Sequence, residues 1–192
     1  METYLPPIEK PKGLFLRFAY FLTRRMFGKV PTPLKVGAAR MPSAFLRFNL
    51  KISRLDRKLE LPAGTVQLVR EIVSRTNACL FCMDSQRWYV MKKAPSNLAK
   101  LDALPEYETS PLFTEAERAA LDYATELTRT KHVERETFDR VARFYSEREI
   151  CEIAWVVASE HVYNLQNHGL NIGSDGLCEL PAARKVGAPS TR

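Results

Sequence analysis

The segment Cys79-Leu80-Phe81-Cys82 holds the residues of this chain best suited to chemistry. At the start of a helix this spacing puts both sulfurs within one turn, close enough to exchange two thiols for a disulfide without large backbone movement. Free N–H groups of a first helical turn favour thiolate over thiol, which lowers the thiol pKa and supplies a nucleophile near neutral pH. The pair therefore suggests redox chemistry, although zinc sites also use such a tetrapeptide. Zinc would need two further ligands. His132, His161 and His168 are not spaced as in a common zinc finger, and there is no second close cysteine pair. Structural zinc ranks below a dithiol, and no residue is assigned as a metal ligand.

Acid–base partners are less distinct. His161 falls on the apolar side of the last long helix by period. Its simpler reading is a buried histidine bonded to a backbone carbonyl; the alternative is a proton shuttle near the thiols, because imidazole titrates in the useful range. His168, beside Gly169, reads as a partner for a helix C-terminus. Glu71 and Glu160 could each reach a central site, but a solvated charge is the simpler reading of either. Asp84, two residues beyond Cys82, points away from the sulfur on an ideal helix. Trp88, Tyr89 and Trp155 are most economically core aromatics.

The elements that must position these groups are helices. Residues 1–12, with Pro6, Pro7 and Pro11, read as an extended arm along a surface. Leu14 to Phe27 is apolar with Arg17, Arg24 and Arg25, and Gly28 and Pro31 end it; it is too short and too charged to span a bilayer. Packing against the rest of the protein or a sister subunit is preferred over a membrane surface. A second helix is expected over 43–59 and a third from about Thr65, with Asn77 as the N-cap of a fourth that carries the cysteines. Thr114-Glu115-Ala116-Glu117 and Ser146-Glu147-Arg148-Glu149 have capping-box spacing and open two more. Between these lies a shorter helix over 137–144, with Phe138, Val141 and Phe144 as its apolar side. In the last helix Ile150, Ile153, Ala154, Val157, Ala158, His161, Val162 and Leu165 follow helical spacing. Residues 172–176 form a turn, and the tail from Pro181 to Arg192 is polar and basic.

Composition agrees with this picture. The chain has 192 residues, enough for one well-packed domain; 45% are hydrophobic and 27% charged, and only 8 Gly beside 12 Pro disfavour a loop-rich β architecture. The formal charge of +7 would admit an acidic partner. The basic residues are dispersed, however, with no aromatic-interleaved patch, so a solvated basic surface is preferred and no nucleic acid is expected. The N-terminus lacks the features of a secretory signal, which makes a cytoplasmic setting the expectation, and there a close cysteine pair is more often catalytic or metal-binding than structural.

The segment from Val73 to Asp84, reading Val-Ser-Arg-Thr-Asn-Ala-Cys-Leu-Phe-Cys-Met-Asp, resembles the cysteine segment of the carboxymuconolactone decarboxylase family, which includes alkyl hydroperoxidase D. Phe113 to Leu121, Phe144 to Ile150 and Tyr163 to Asn167 resemble three further stretches of that family in the same order. The resemblance implies an all-α, alkyl hydroperoxidase D-like single domain over 40–173, preceded by an arm and basic amphipathic helix over 1–39 and followed by a tail over 174–192. It implies homo-oligomers, no cofactor, a hydroperoxide as small-molecule substrate and an external dithiol as reductant. By motif position Cys82 attacks the peroxide oxygen and Cys79 resolves the sulfenic acid to a disulfide.

Two positions depart from the family's peroxidases. The relay histidine is Gln86 here and the relay glutamate is Gln67, and glutamine cannot shuttle a proton at neutral pH. Glu71, one turn beyond Gln67 on the same face, and His161, from the last helix, are the candidate substitutes. A cofactor-free decarboxylase of aromatic catabolism and a non-catalytic oligomeric relative are the alternative readings.

Overall fold

The computed structural model describes residues 2–179, and within them all regular structure is helical. The eight α-helices are α1 (Leu14–Phe27), α2 (Pro42–Asp56), α3 (Ala63–Thr76), α4 (Leu80–Lys93), α5 (Leu98–Asp102), α6 (Glu115–Thr130), α7 (Arg135–Val141) and α8 (Glu147–Gly169).

The two capping boxes form as their spacing predicts. Thr114 Oγ1 accepts from the N–H of Glu117 while the Glu117 carboxylate accepts from the N–H of Thr114, and Ser146 with Glu149 does the same at α8. Each satisfies two otherwise unpaired donors, and loss of such a cap costs about 1 kcal/mol. These ends fix α6 and α8 against α3, and the three bury the main core: Leu68, Val69, Ile72 and Val73 from α3, Ala120, Leu121 and Ala124 from α6, Ile153, Val156 and Val157 from α8. Each Val, Leu or Ile among them contributes about 1.5–3 kcal/mol by leaving water. The entry to α3 is pinned from α8, where Glu152 Oε2 accepts from the N–H groups of Glu60 and Leu61 at 2.8 Å each.

The arm does lie along the surface. Its backbone bonds to Leu170 and Lys35 at Tyr4 and Ile8, and Tyr20 of α1 donates to the Ile8 carbonyl at 2.7 Å. Beneath it runs a π-helical turn, Leu34–Ala38, which the sequence pattern did not announce. Gly37 allows this close approach: a Cβ there would sit 3.2 Å from Gln166 Nε2 on α8.

Several boundaries and exposures differ from expectation. α2 ends at Asp56 rather than 59, and α7 runs Arg135–Val141, earlier than 137–144. Phe138 and Phe144, expected on an inner side, are exposed, as are Tyr89 and Trp155, whereas Trp88 is buried against Phe27. Asn77 is the C-cap of α3, not the N-cap of α4; that position belongs to Cys79. The physical reason is the left-handed backbone at Ala78 (φ 53°), which turns the chain between the two helices and moves the N-cap of α4 two residues on, from Asn77 to Cys79. The tail expected over 181–192 lies outside the described residues.

The segment after α8 is fastened inward. Asp84 of α4 accepts from Ser174 Oγ and from the N–H groups of Asp175, Leu177 and Cys178, and Asp175 in turn holds Thr32 and Lys29. Asp84 thus points away from the cysteine pair, as its position on the helix required, and serves as an anchor. Among the described residues no helix is long and apolar enough to cross a membrane.

Candidate functional site

α3 and α4 meet in a turn of two residues, Asn77 and Ala78. A left-handed conformation costs an L-residue about 1–2 kcal/mol, and here neighbours hold it. The N–H of Ala78 reaches the Arg75 carbonyl, the N–H of Cys79 reaches Ser74, and His168 Nε2 lies 2.7 Å from the Asn77 carbonyl. His168 thus lies in the last turn of α8, as expected, and in addition clasps this turn.

The turn delivers Cys79 as N-cap of α4 and Cys82 into its first turn. The two are joined as a disulfide with a Cα–Cα distance of 5.3 Å, so a dithiol and a disulfide can interconvert here with the backbone in place. Both cysteines are almost fully buried, while Leu80 between them is half-exposed, so the pair lies just under the surface.

What surrounds the sulfurs is amide rather than hydrocarbon alone. From α8, Asn164 Nδ2 donates to Cys82 Sγ at 3.1 Å, and Asn167 Nδ2 lies 3.3 Å from Cys82 Sγ and 3.6 Å from Cys79 Sγ. Asn164 also donates to Glu160 Oε1 at 3.1 Å and accepts from Asn77 Nδ2 at 2.8 Å. Glu160, buried, takes a further bond from Ser74 Oγ at 2.9 Å and pairs with Arg70 at 3.1 Å, and Arg70 extends to Asp56 at 2.8 Å. A polar file thus runs from Cys82 through the interior of α3 and α8. Buried ions hold their charge only when paired and hydrogen-bonded in this way.

Glu71 lies in the same interior, 1% exposed. Its Oε1 accepts from Arg75 Nε at 2.7 Å, and its Oε2 has no hydrogen-bond partner. Burial is the main influence and pushes its carboxyl up to about 7; the Arg75 cation opposes this and the Glu160 charge adds to it. Glu71 is therefore an inward carboxyl able to hold or release a proton near neutrality, not a solvated charge.

His161 is half-buried on α8, and its proton is held less tightly than usual because of burial and the Lys131 cation. The hydrogen bonds to the sulfurs come from Asn164 and Asn167, not from His161. Gln67 accepts from Asn97 Nδ2 at 3.1 Å. Cys178 packs near Trp88 with its thiol directed to the Asp84 carbonyl oxygen at 3.4 Å; burial and Asp84 push its pKa up to about 12. Cys151 is exposed on the outer side of α8. Among the described residues no group of three or more His, Cys, Asp or Glu is arranged to hold a metal ion.

The structure thus brings Cys79 and Cys82 together, while Glu71 is buried on α3 and paired with Arg75, with no hydrogen bond to either sulfur. The asparagines at 164 and 167 were not foreseen as partners of the thiols, and Glu160, which the sequence allowed to reach a central site but favoured as a solvated charge, is buried and meets the pair only through Asn164.

No family model matches the sequence. The chain is 29% identical over 182 residues to the uncharacterized protein YnjA of Escherichia coli (strain K12), covering 94% of this chain and 98% of that protein. In fold it is similar to the apo debrominase Bmp8, with a TM-score of 0.78 at 24% identity over 93% of this chain and 96% of that one. A Cys-to-Ala form of Bmp8 is known in complex with 2,3,4-tribromopyrrole. It is also similar to a peroxidase-related protein of Ralstonia eutropha JMP134 with an alkylhydroperoxidase AhpD core, at TM-score 0.74, 19% identity and coverage of 91% and 94%. The fold is that of alkyl hydroperoxidase D-like proteins, and it is all-helical among the described residues.

Proposed function

We propose that this chain, which has the alkyl hydroperoxidase D-like fold, is a dithiol enzyme that reduces hydroperoxides. The observation that carries the reading is the Cys79–Cys82 pair, joined across one helical turn and met by amide donors rather than by hydrocarbon alone. In the reduced enzyme the Cys82 thiolate attacks one peroxide oxygen. The O–O bond breaks, the alkoxide takes a proton and leaves as alcohol, and Cys82 becomes a sulfenic acid. The Cys79 thiol then attacks that sulfur, the S–O bond breaks, and water leaves as the disulfide forms. An external dithiol returns two electrons and two protons by exchange.

Of the two acid–base candidates, Glu71 is the better supported as proton donor to the alkoxide. It is interior, keeps a proton near neutrality and has an oxygen without a partner. Burial, and after it the Lys131 cation, disfavours the protonated form of His161.

Turnover of an organic hydroperoxide with a dithiol reductant tests the reading. Cys82→Ser should abolish it while the helical circular dichroism is kept; undiminished turnover would remove Cys82 from the mechanism.

A second reading is favoured by the likeness to Bmp8. The same dithiol could supply the two electrons that replace an aromatic bromine by hydrogen, releasing bromide and a proton as the disulfide forms. Bromide release from a bromopyrrole by the reduced protein, with no peroxide consumed, would select it.

The chain also reads as self-associating. α1 leaves Leu14, Phe15, Phe18, Phe21, Leu22 and Met26 exposed on one side. At on the order of 100 Å² each, these side chains approach the ~800 Å² per partner of a stable interface. A second copy of the chain is the proposed cover.

A further inference from the structure

We infer that the carboxamides of Asn164 and Asn167 form a neutral thiolate cradle that singles out Cys82 as the reactive sulfur. This rests on the proposal that Cys82 is the attacking thiolate and adds what stabilises that state.

The two residues are three apart on α8, so their side chains project from one face. Both are buried, and their Nδ2 groups point at the sulfurs. A carboxamide has two N–H donors and one acceptor oxygen. Asn164 uses all of them in one orientation, with one hydrogen to Cys82 Sγ, one to Glu160 Oε1, and the oxygen toward Asn77 Nδ2. Flipping the amide would set its oxygen against a sulfur and a carboxylate and its NH2 against another NH2. The orientation is therefore fixed by partners that do not depend on the disulfide, and it persists when the disulfide opens.

The donors are shared unequally. Cys82 Sγ receives two, at 3.1 and 3.3 Å, and Cys79 Sγ one, at 3.6 Å. A hydrogen bond to an ionised acceptor is about twice as strong as one between neutral groups, so the asymmetry favours charge on Cys82. The first turn of α4 acts in the same direction. The opposing charge is Glu160, but the amide of Asn164 stands between it and the sulfur, and Arg70 and Ser74 hold the carboxylate on its other sides. The remaining ionisable groups of this interior are Cys79 itself, Glu71, whose carboxylate is turned to Arg75, Tyr163 beside Glu160, and His168, whose ring is directed to the Asn77 carbonyl. Among the described residues no cation touches the sulfur directly: the thiolate is stabilised by dipoles held in place beforehand.

The test is alkylation of the reduced protein by iodoacetamide at a series of pH values, with each cysteine quantified by peptide mass. In the unsubstituted protein the Cys82 midpoint should lie below that of Cys79 and of exposed Cys151. Asn167→Leu removes one of the two donors to Cys82 and should raise its midpoint by about one pH unit, a roughly tenfold loss of rate below the midpoint. Asn167→Asp, which puts a carboxylate in place of the donor, should raise it further. The Cys151 rate should not move. An unchanged Cys82 midpoint in folded Asn167→Leu overturns the cradle, and should that variant not fold, Asn167→Ser is read by the same criterion. Because no peroxide enters the measurement, failure of peroxide turnover in the unsubstituted protein would count against the proposed function and leave the cradle to stand or fall on its own midpoint.

Discussion

Glu71→Gln separates the effect of burying a carboxylate from everything else in the site. Glu71 is almost fully buried, one oxygen is bonded to Arg75 and the other has no partner. Burial raises its carboxyl from an ordinary 4.5 to about 7 in the folded protein, even though Arg75 pulls the other way. Below 4.5 the group is protonated in both folded and unfolded chains and contributes no pH dependence. Between 4.5 and about 7 the folded protein holds a proton that the unfolded chain has released, so stability falls as pH rises through this window. Above it both states are ionised and the full penalty is present. At ~1.36 kcal/mol per tenfold change in proton affinity, that penalty is about 3 kcal/mol. The sign is opposite to that of a salt-bridged carboxylate with a lowered pKa, whose stabilisation is lost on acidification.

Gln is close in shape, never ionises, and leaves Arg75 an oxygen to bond. Urea unfolding of wild type and Glu71→Gln at pH 5 and pH 8 measures the difference directly. The variant should gain stability relative to wild type by about 2–3 kcal/mol on going from pH 5 to pH 8, because the cost of burying an ionised carboxylate at the higher pH is gone. Curves whose separation is constant between the two pH values would refute the reasoning. If Glu71 also protonates the leaving alkoxide, peroxide turnover in wild type should decline as pH rises past about 7, and that declining limb should be missing in the variant.

Thiol counting follows from the other cysteines. After denaturation the oxidised protein should show two reactive thiols, Cys151 and Cys178, and the reduced protein four. In the native state at pH 8, Cys151 should react promptly. Cys178, raised from 9.0 to about 12, should carry about a thousandfold less thiolate; prompt labelling of Cys178 would contradict its placement beside Asp84. For α1, light scattering should find the full chain associated at micromolar concentration and Phe18→Glu with Phe21→Glu shifted toward monomer. A wild-type monomer, or binding of α1 to anionic vesicles in place of association, would count against the second copy.

The parts of this molecule that were legible in the sequence are those set by local rules. Capping boxes opened α6 and α8 at the expected residues because the hydrogen bonds that define them lie within four consecutive positions. The cysteine pair was visible for the same reason. Asn77 misled because its preference for helix caps does not specify which end, and the outcome turned on the left-handed Ala78 and on His168 and Asn164, ninety or so positions away. Glu71 could not be told from a solvated glutamate, since its burial depends on the helices that pack against α3, which are chiefly α6, α8 and α4.

The most informative failure is on α8. Its inward stripe runs Ile153, Val157, Glu160, Asn164, Asn167, in alternating steps of four and three, so the period was correct throughout. The sequence reading followed hydrophobicity instead and carried the stripe on through Val162 and Leu165, both of which are exposed. Halfway along the helix the buried side changes from aliphatic to polar while keeping its register. An apolar core would have continued with Leu or Val, because burying a polar side chain without partners is unfavourable. Glu160, Asn164 and Asn167 are tolerated there because Arg70, Ser74, Asn77 and the two sulfurs answer their hydrogen bonds. Where an inward stripe turns polar without losing its period, the interior it faces holds something that apolar side chains could not serve, and in this chain that is the thiol pair.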